Sequence, residues 1–145
     1  MSFKVKYPQS FCSSIGEYGC YMLCLINIAE EYTGKHFDMI EVAREGIDKG
    51  YIEFHEENYK NSNNFYVEKP DLFLKMLTGK TWSVRKVFDN IYKPKENEYV
   101  VERWARNGYA HFARTWKNFN SLQDSKCVTL GSIESLRVLT VNEKA

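Results

Sequence analysis

Apolar residues recur at helical spacing in the first half of the chain and alternate with polar ones in the second. That pattern predicts helices followed by strands. The run Tyr21-Met22-Leu23-Cys24-Leu25-Ile26 predicts a first helix from Gly19 to about Tyr32, buried through Leu23, Ile26, Ile28 and Ala29 and stopped by Thr33-Gly34-Lys35. Its nearly continuous apolar content predicts the central helix of the domain. Asp38 and Glu41 stand three apart, as in a capping box, and open a second helix through Ile40, Ala43 and Ile47. Gly46 weakens that helix and Gly50 ends it. Lys69-Pro70-Asp71 starts a third, Asp71 to Leu77, closed by Thr78-Gly79.

From Thr81 onward the period changes to that of strands. Trp82 to Val87, Tyr99 to Trp104, Tyr109 to Trp116, Lys126 to Leu130 and Ile133 to Val141 are the expected strands. Asn107-Gly108 is a strong two-residue hairpin signal, because a type I′ turn needs positive φ at both central positions. The Ser- and Gly-rich first twenty residues, and the polar stretch Glu53 to Asn64, are expected as loops. Helices first, then an antiparallel meander, define an α+β class in one domain spanning residues 1–145.

Composition narrows the function classes. At 145 residues the chain buries roughly 68–70% of its unfolded surface, enough for a core without staples. Twenty basic and 19 acidic residues leave a net charge of +1, so neither nucleic acid nor an anionic membrane is an expected partner. No apolar segment follows Met1-Ser2-Phe3-Lys4, and no run approaches the ~18 apolar residues of a membrane span. A cytoplasmic protein with its four cysteines as free thiols is therefore expected.

Cys20 carries the most chemistry. A thiol at a helix start lies near open backbone N–H groups and the positive end of the helix dipole, both of which favour the nucleophilic thiolate. Cys24, one turn on, fits a buried structural role. His111 follows the expected hairpin turn by three residues and shares a strand face with Tyr109, Ala113 and Thr115, where small Ala113 leaves room beside the imidazole. His36 and His55 lie in a turn and in an acidic stretch. Beyond His111, Asn118, Asn120 and Asp124 each offer a side-chain oxygen to orient an imidazole. A zinc site from Cys20, Cys24 and either Cys127 or His111 lacks the second close Cys pair that structural zinc uses, so no metal and no cofactor are expected.

The order Gln9, Gly19-Cys20-Tyr21-Met22-Leu23-Cys24, His111-Phe112-Ala113 and Phe119-Asn120-Ser121-Leu122 resembles the papain-like cysteine peptidase superfamily. It is most similar to the compact bacterial and phage branch of C39-like peptidases. The resemblance implies a papain-like fold, with the Cys-bearing helix packed on a C-terminal antiparallel sheet. It implies Cys20 as nucleophile, His111 as general base and acid, Asn120 as orienting residue and Gln9 as side-chain donor to the oxyanion. Asp124 and Asn118 are alternatives to Asn120, and Ser14 stands nearer to Cys20 than Gln9 does. The implied activity is hydrolysis of an amide in a peptide, protein or peptidoglycan-like substrate. A papain-like shell that binds without catalysis, through the aromatic-rich segment Tyr99 to Trp116, is the other expectation.

Overall fold

A computed structural model describes residues 11, 15, 19–55, 65–89, 91–106, 109–114 and 132–142. Three helices and six strands stand among them: α1 (Cys20–Thr33), α2 (Met39–Asp48), β1 (Ile52–Phe54), β2 (Phe65–Val67), α3 (Pro70–Thr78), β3 (Thr81–Val87), β4 (Glu98–Arg106), β5 (Tyr109–Ala113) and β6 (Ser132–Asn142). The class is α+β, and every strand pair is antiparallel.

The helix boundaries follow local chemistry. Gly34 ends α1 in the left-handed conformation at φ 73°, with its N–H bonded to the Glu30 carbonyl. The Asp38 carboxylate accepts the N–H groups of Ile40 and Glu41 at 3.0 and 3.1 Å and caps α2. Gly46 lies inside α2 because two elements meet there. A Cβ at that position would stand 2.8 Å from Ile52 Cδ1 and 3.0 Å from Phe73 Cε1.

α1 supplies the centre of the core through Met22, Leu25, Ile28 and Ala29, all fully buried. Leu23, expected inside, is only half-buried and packs at the margin. Tyr32 meets Trp82 edge-on at 5.6 Å, and Trp82 leans on Tyr99, which seats the C-terminal half of α1 on the sheet.

Three expectations change. Phe11 and Ile15, within the stretch read as loop, have helical backbone and are buried at 1% exposure. The stretch read as a polar excursion from Glu53 begins inside a strand. β1 pairs with β2 in register Ile52↔Val67 and Phe54↔Phe65, and Phe54 and Phe65 pack with Phe11. The large sheet is not a meander, since its order is β3-β6-β4-β5. β6 buries Leu136 and Val138 on one face and Leu139 and Val141 on the other. A strand apolar on both faces belongs in the middle of a sheet. The expected strand Lys126 to Leu130 and the turn residues Asn107-Gly108 lie outside the described residues. β4 and β5 pair up to Arg106↔Tyr109, the two neighbours of that turn.

Candidate functional site

Cys20 is the first residue of α1, and Gly19 occupies the N-cap. The Gly19 N–H donates to the Ile15 carbonyl at 2.9 Å. A Cβ on Gly19 would stand 2.6 Å from that same oxygen, so only glycine fits this close approach. Among the described residues no side chain caps the helix start, and no acidic residue sits in its first turn. First-turn amides therefore have no side-chain acceptor from the cap, the condition that suits an anion.

α1 runs along the edge strand β5. The Phe112 N–H donates to Cys20 Sγ at 3.4 Å. The Arg114 N–H acts on the Cys24 thiol in the same way. The spacing explains the match: four residues of helix rise ~6 Å, and two residues of strand rise ~6.7 Å. Two sulfurs one turn apart thus meet alternate amides of a strand edge. Both cysteines are free thiols. Burial pushes the Cys24 thiol well above its ordinary range, with the neighbouring Cys20 adding to the rise.

The sulfur of Cys20 therefore lies against the peptide bond between His111 and Phe112, across ninety residues of sequence. His111 is buried at 1% exposure. Phe112 turns toward α1, where its ring stacks on Tyr21 at 4.5 Å. By strand alternation the His111 side chain leaves β5 on the other face, with Ala113. Register places Trp104 opposite His111, and Glu102 opposite Ala113 and Leu136, on that same face. The Trp104 indole N–H donates to Glu102 at 3.1 Å. Burial raises the Glu102 carboxyl above the usual range, and the indole bond opposes the rise.

Glu102 was not among the expected site residues. Its signal was available, because the Asn107-Gly108 hairpin signal in the sequence implies 104 opposite 111 and 102 opposite 113, the register observed. Gln9, Ser14, Asn118, Asn120, Asp124 and Cys127 lie outside the described residues. His36 and His55 stand elsewhere, exposed, each on a glutamate: His36 Nδ1 2.9 Å from Glu30 and His55 Nε2 3.0 Å from Glu53. Among the described residues no three His, Cys, Asp or Glu side chains gather as a metal site, and no helix is long and apolar enough to cross a membrane.

Around Phe112 the sheet face toward α1 is cationic. The guanidinium groups of Arg103 and Arg137 lie 5.8 and 5.6 Å from the centre of its ring. Arg103 pairs with Glu134 at 3.0 Å, and Lys86 approaches the same carboxylate at 3.7 Å. Glu134 is the extra residue of a bulge where Arg103 faces Ser135 and Trp104 faces Ile133. On the other side of Phe112, Arg114 binds Asn27 and Glu31 of α1 at 2.8 and 2.9 Å.

A family model described as "Protein of unknown function, DUF261" matches residues 1–141. No curated protein and no solved structure matches the chain.

Proposed function

We propose that this chain, which belongs to the DUF261 family, is a papain-like cysteine hydrolase that cleaves an amide bond through Cys20 and His111. What supports this reading is the Cys20 sulfur at the start of α1, 3.4 Å from the nitrogen of the His111–Phe112 peptide; the His111 ring leaves β5 on the face away from α1, so the reaction requires it to reach the sulfur round the strand edge. Cys20 Sγ attacks the amide carbonyl, a C–S bond forms, and the carbonyl electron pair moves to oxygen. First-turn N–H groups of α1 stabilise that oxyanion, an effect of ~10²–10³ in rate per donor. The His111 imidazolium gives its proton to the leaving amine as the C–N bond breaks. Water then loses a proton to His111, adds to the thioester carbonyl, and releases the thiol. Of the two carboxylates that β4 puts on the His111 face, Glu98 and Glu102, Glu102 stands nearer to His111 in register. Asn120, Asp124 and Asn118 are the other groups proposed to orient the ring. Free thiols suit a reducing compartment such as the cytoplasm.

A second reading has its own observation. Cys20 and Cys24 meet two alternate amides of an edge strand, which is what a purely structural cover of that edge would do. The domain would then be a papain-like binding module without turnover.

One experiment separates the two. Iodoacetamide should alkylate native protein at Cys20 at pH 6 much faster than it alkylates a free model thiol. Cys20→Ser should keep the fold, because a hydroxyl also accepts the Phe112 N–H, and should abolish hydrolysis across a panel of peptide and peptidoglycan-fragment amides. Alkylation at the model-thiol rate would sink the hydrolase reading and leave the edge-cover reading standing.

A further inference from the structure

Three cations share one corner of the sheet around Glu134 and Phe112, the residue whose N–H meets Cys20. Lys86 and Arg137 are direct cross-strand partners, and Arg103 lies one strand further along, opposite Phe112. All three stand on the face that carries Trp82, Val101 and Leu139 onto α1. Like charges directly opposite each other destabilise a sheet. Glu134 is shared by Arg103 and Lys86. Among the described residues Arg137 has only neutral hydrogen-bond partners, the Ser135 hydroxyl at 2.8 Å and the Leu136 carbonyl at 3.5 Å. The corner therefore holds more positive charge than its own carboxylate balances.

The second observation is a hydroxyl. Tyr21 follows Cys20 directly, stacks on Phe112, and its buried Oη has no hydrogen-bond partner among the described residues. Buried hydroxyls are nearly always paired, so an orphan asks for an explanation. The charge of Arg137 acts on that hydroxyl more strongly than the opposing charge of Asp71 in α3. An unbalanced guanidinium and an unused donor thus flank one aromatic ring, whose own amide holds the candidate nucleophile.

We propose that Arg137, Arg103 and Lys86, with the Tyr21 hydroxyl, form a subsite for a carboxylate carried by the substrate of Cys20. The inference rests on the hydrolase reading and adds a substrate class: peptides with a free carboxylate close to the scissile amide. Arg137 is the principal donor, because its guanidinium is the one without a carboxylate partner. Arg103 and Lys86 set the field, and Tyr21 supplies a neutral hydrogen bond.

Paired alkylation of the full-length chain tests this. Iodoacetate carries the carboxylate and iodoacetamide is its neutral counterpart, so their rate ratio at Cys20 cancels the fraction of thiolate. The ratio is read at the Cys20 peptide by mass spectrometry in low salt. It should exceed that of free glutathione by about three- to tenfold, the effect of one nearby positive charge in a partly solvated site. Arg137→Gln should return the ratio to the glutathione value, any change in the thiolate fraction cancelling between the two reagents. Arg137→Lys, which keeps the charge, should retain part of the preference. Added acetate should slow iodoacetate in the wild type alone. A wild-type ratio equal to that of glutathione would overturn the subsite. So would an equal loss in Lys49→Gln, which removes the same charge from a distant surface. Failure of the hydrolase reading looks different, because iodoacetamide itself would then react no faster than with a free thiol.

Discussion

Gly19→Ala tests whether the close approach beneath Cys20 holds the thiol in place. An alanine Cβ would sit 2.6 Å from the Ile15 carbonyl oxygen, 3.0 Å from its Cα and 3.2 Å from its carbonyl carbon. All three atoms are backbone, so no side chain can swing aside. Ordinary contact begins near 3.4 Å, and the chain must open there by about 0.8 Å (3.4 − 2.6). That movement strains or breaks the 2.9 Å bond from Gly19 N–H to Ile15, a bond worth about 0.5–1.5 kcal/mol. Repacking Ile15, which is fully buried, adds to the cost. The total expected is about 1–3 kcal/mol, the range of overpacked sites. For a chain of 145 residues this lowers Tm by about 3–9 °C at roughly 3 °C per kcal/mol. Because Cys20 is the next residue, its sulfur should leave the Phe112 amide and its alkylation rate should change with the same substitution. Calorimetry and timed alkylation read the two effects. A Tm within one degree of wild type (about 0.3 kcal/mol), with unchanged alkylation, would refute the reasoning. Gly46→Ala makes an informative companion, since its clashes are with the side-chain atoms Ile52 Cδ1 and Phe73 Cε1.

Two further predictions concern carboxylates. Hydrogen bonds from Tyr92 Oη and the Lys95 N–H, with the Arg85 guanidinium, hold Glu98 down at about 2 from its ordinary 4.5. A depressed carboxylate stabilises the fold above 4.5, and that contribution is lost as pH falls toward about 2. Glu98→Gln should lower the urea midpoint at pH 7, with the gap to wild type closing below pH 4.5; a constant gap would contradict the network. Glu102 behaves oppositely, since burial raises it and ionisation opposes folding as pH rises above its ordinary value. Glu102→Gln should be no less stable than wild type at pH 8, read from the urea midpoint; a clear loss of stability there would contradict the buried carboxylate.

The elements that local chemistry dictates were legible in the sequence. Asp38 caps its helix and Gly34 and Gly79 end theirs as the side chains and left-handed glycines require. The pairing of Trp104 with His111 follows from the two-residue turn signal. The strand order was not legible from spacing, because a meander and a central β6 demand the same local alternation. The distinguishing sign was composition: Val138 and Leu139 face opposite ways and both are buried. β1 and β2 were missed because three residues of alternation do not rise above a polar background. At the site, the helix-start cysteine and the strand histidine could be named from sequence. The amide contacts of Phe112 and Arg114 could not, since backbone groups carry no sequence signal. Glu102 was passed over because a carboxylate on a strand reads as a solvent-facing residue until its partners are known.

The position of β6 also bears on how the molecule is made. Both β3 and β4 pair with it along most of their length, from Thr81↔Asn142 to Val87↔Leu136 and from Glu98↔Thr140 to Ala105↔Ser132. The middle of the large sheet is thus made after the strands that flank it. Until residues 132–142 emerge, β4 and β5 have only each other, and a lone two-stranded hairpin is marginal in water. During that interval the inner edges of β3 and β4 stand open to other chains. A nascent polypeptide arrested before Ser132 should therefore associate with itself, whereas one extended past Asn142 closes its own sheet.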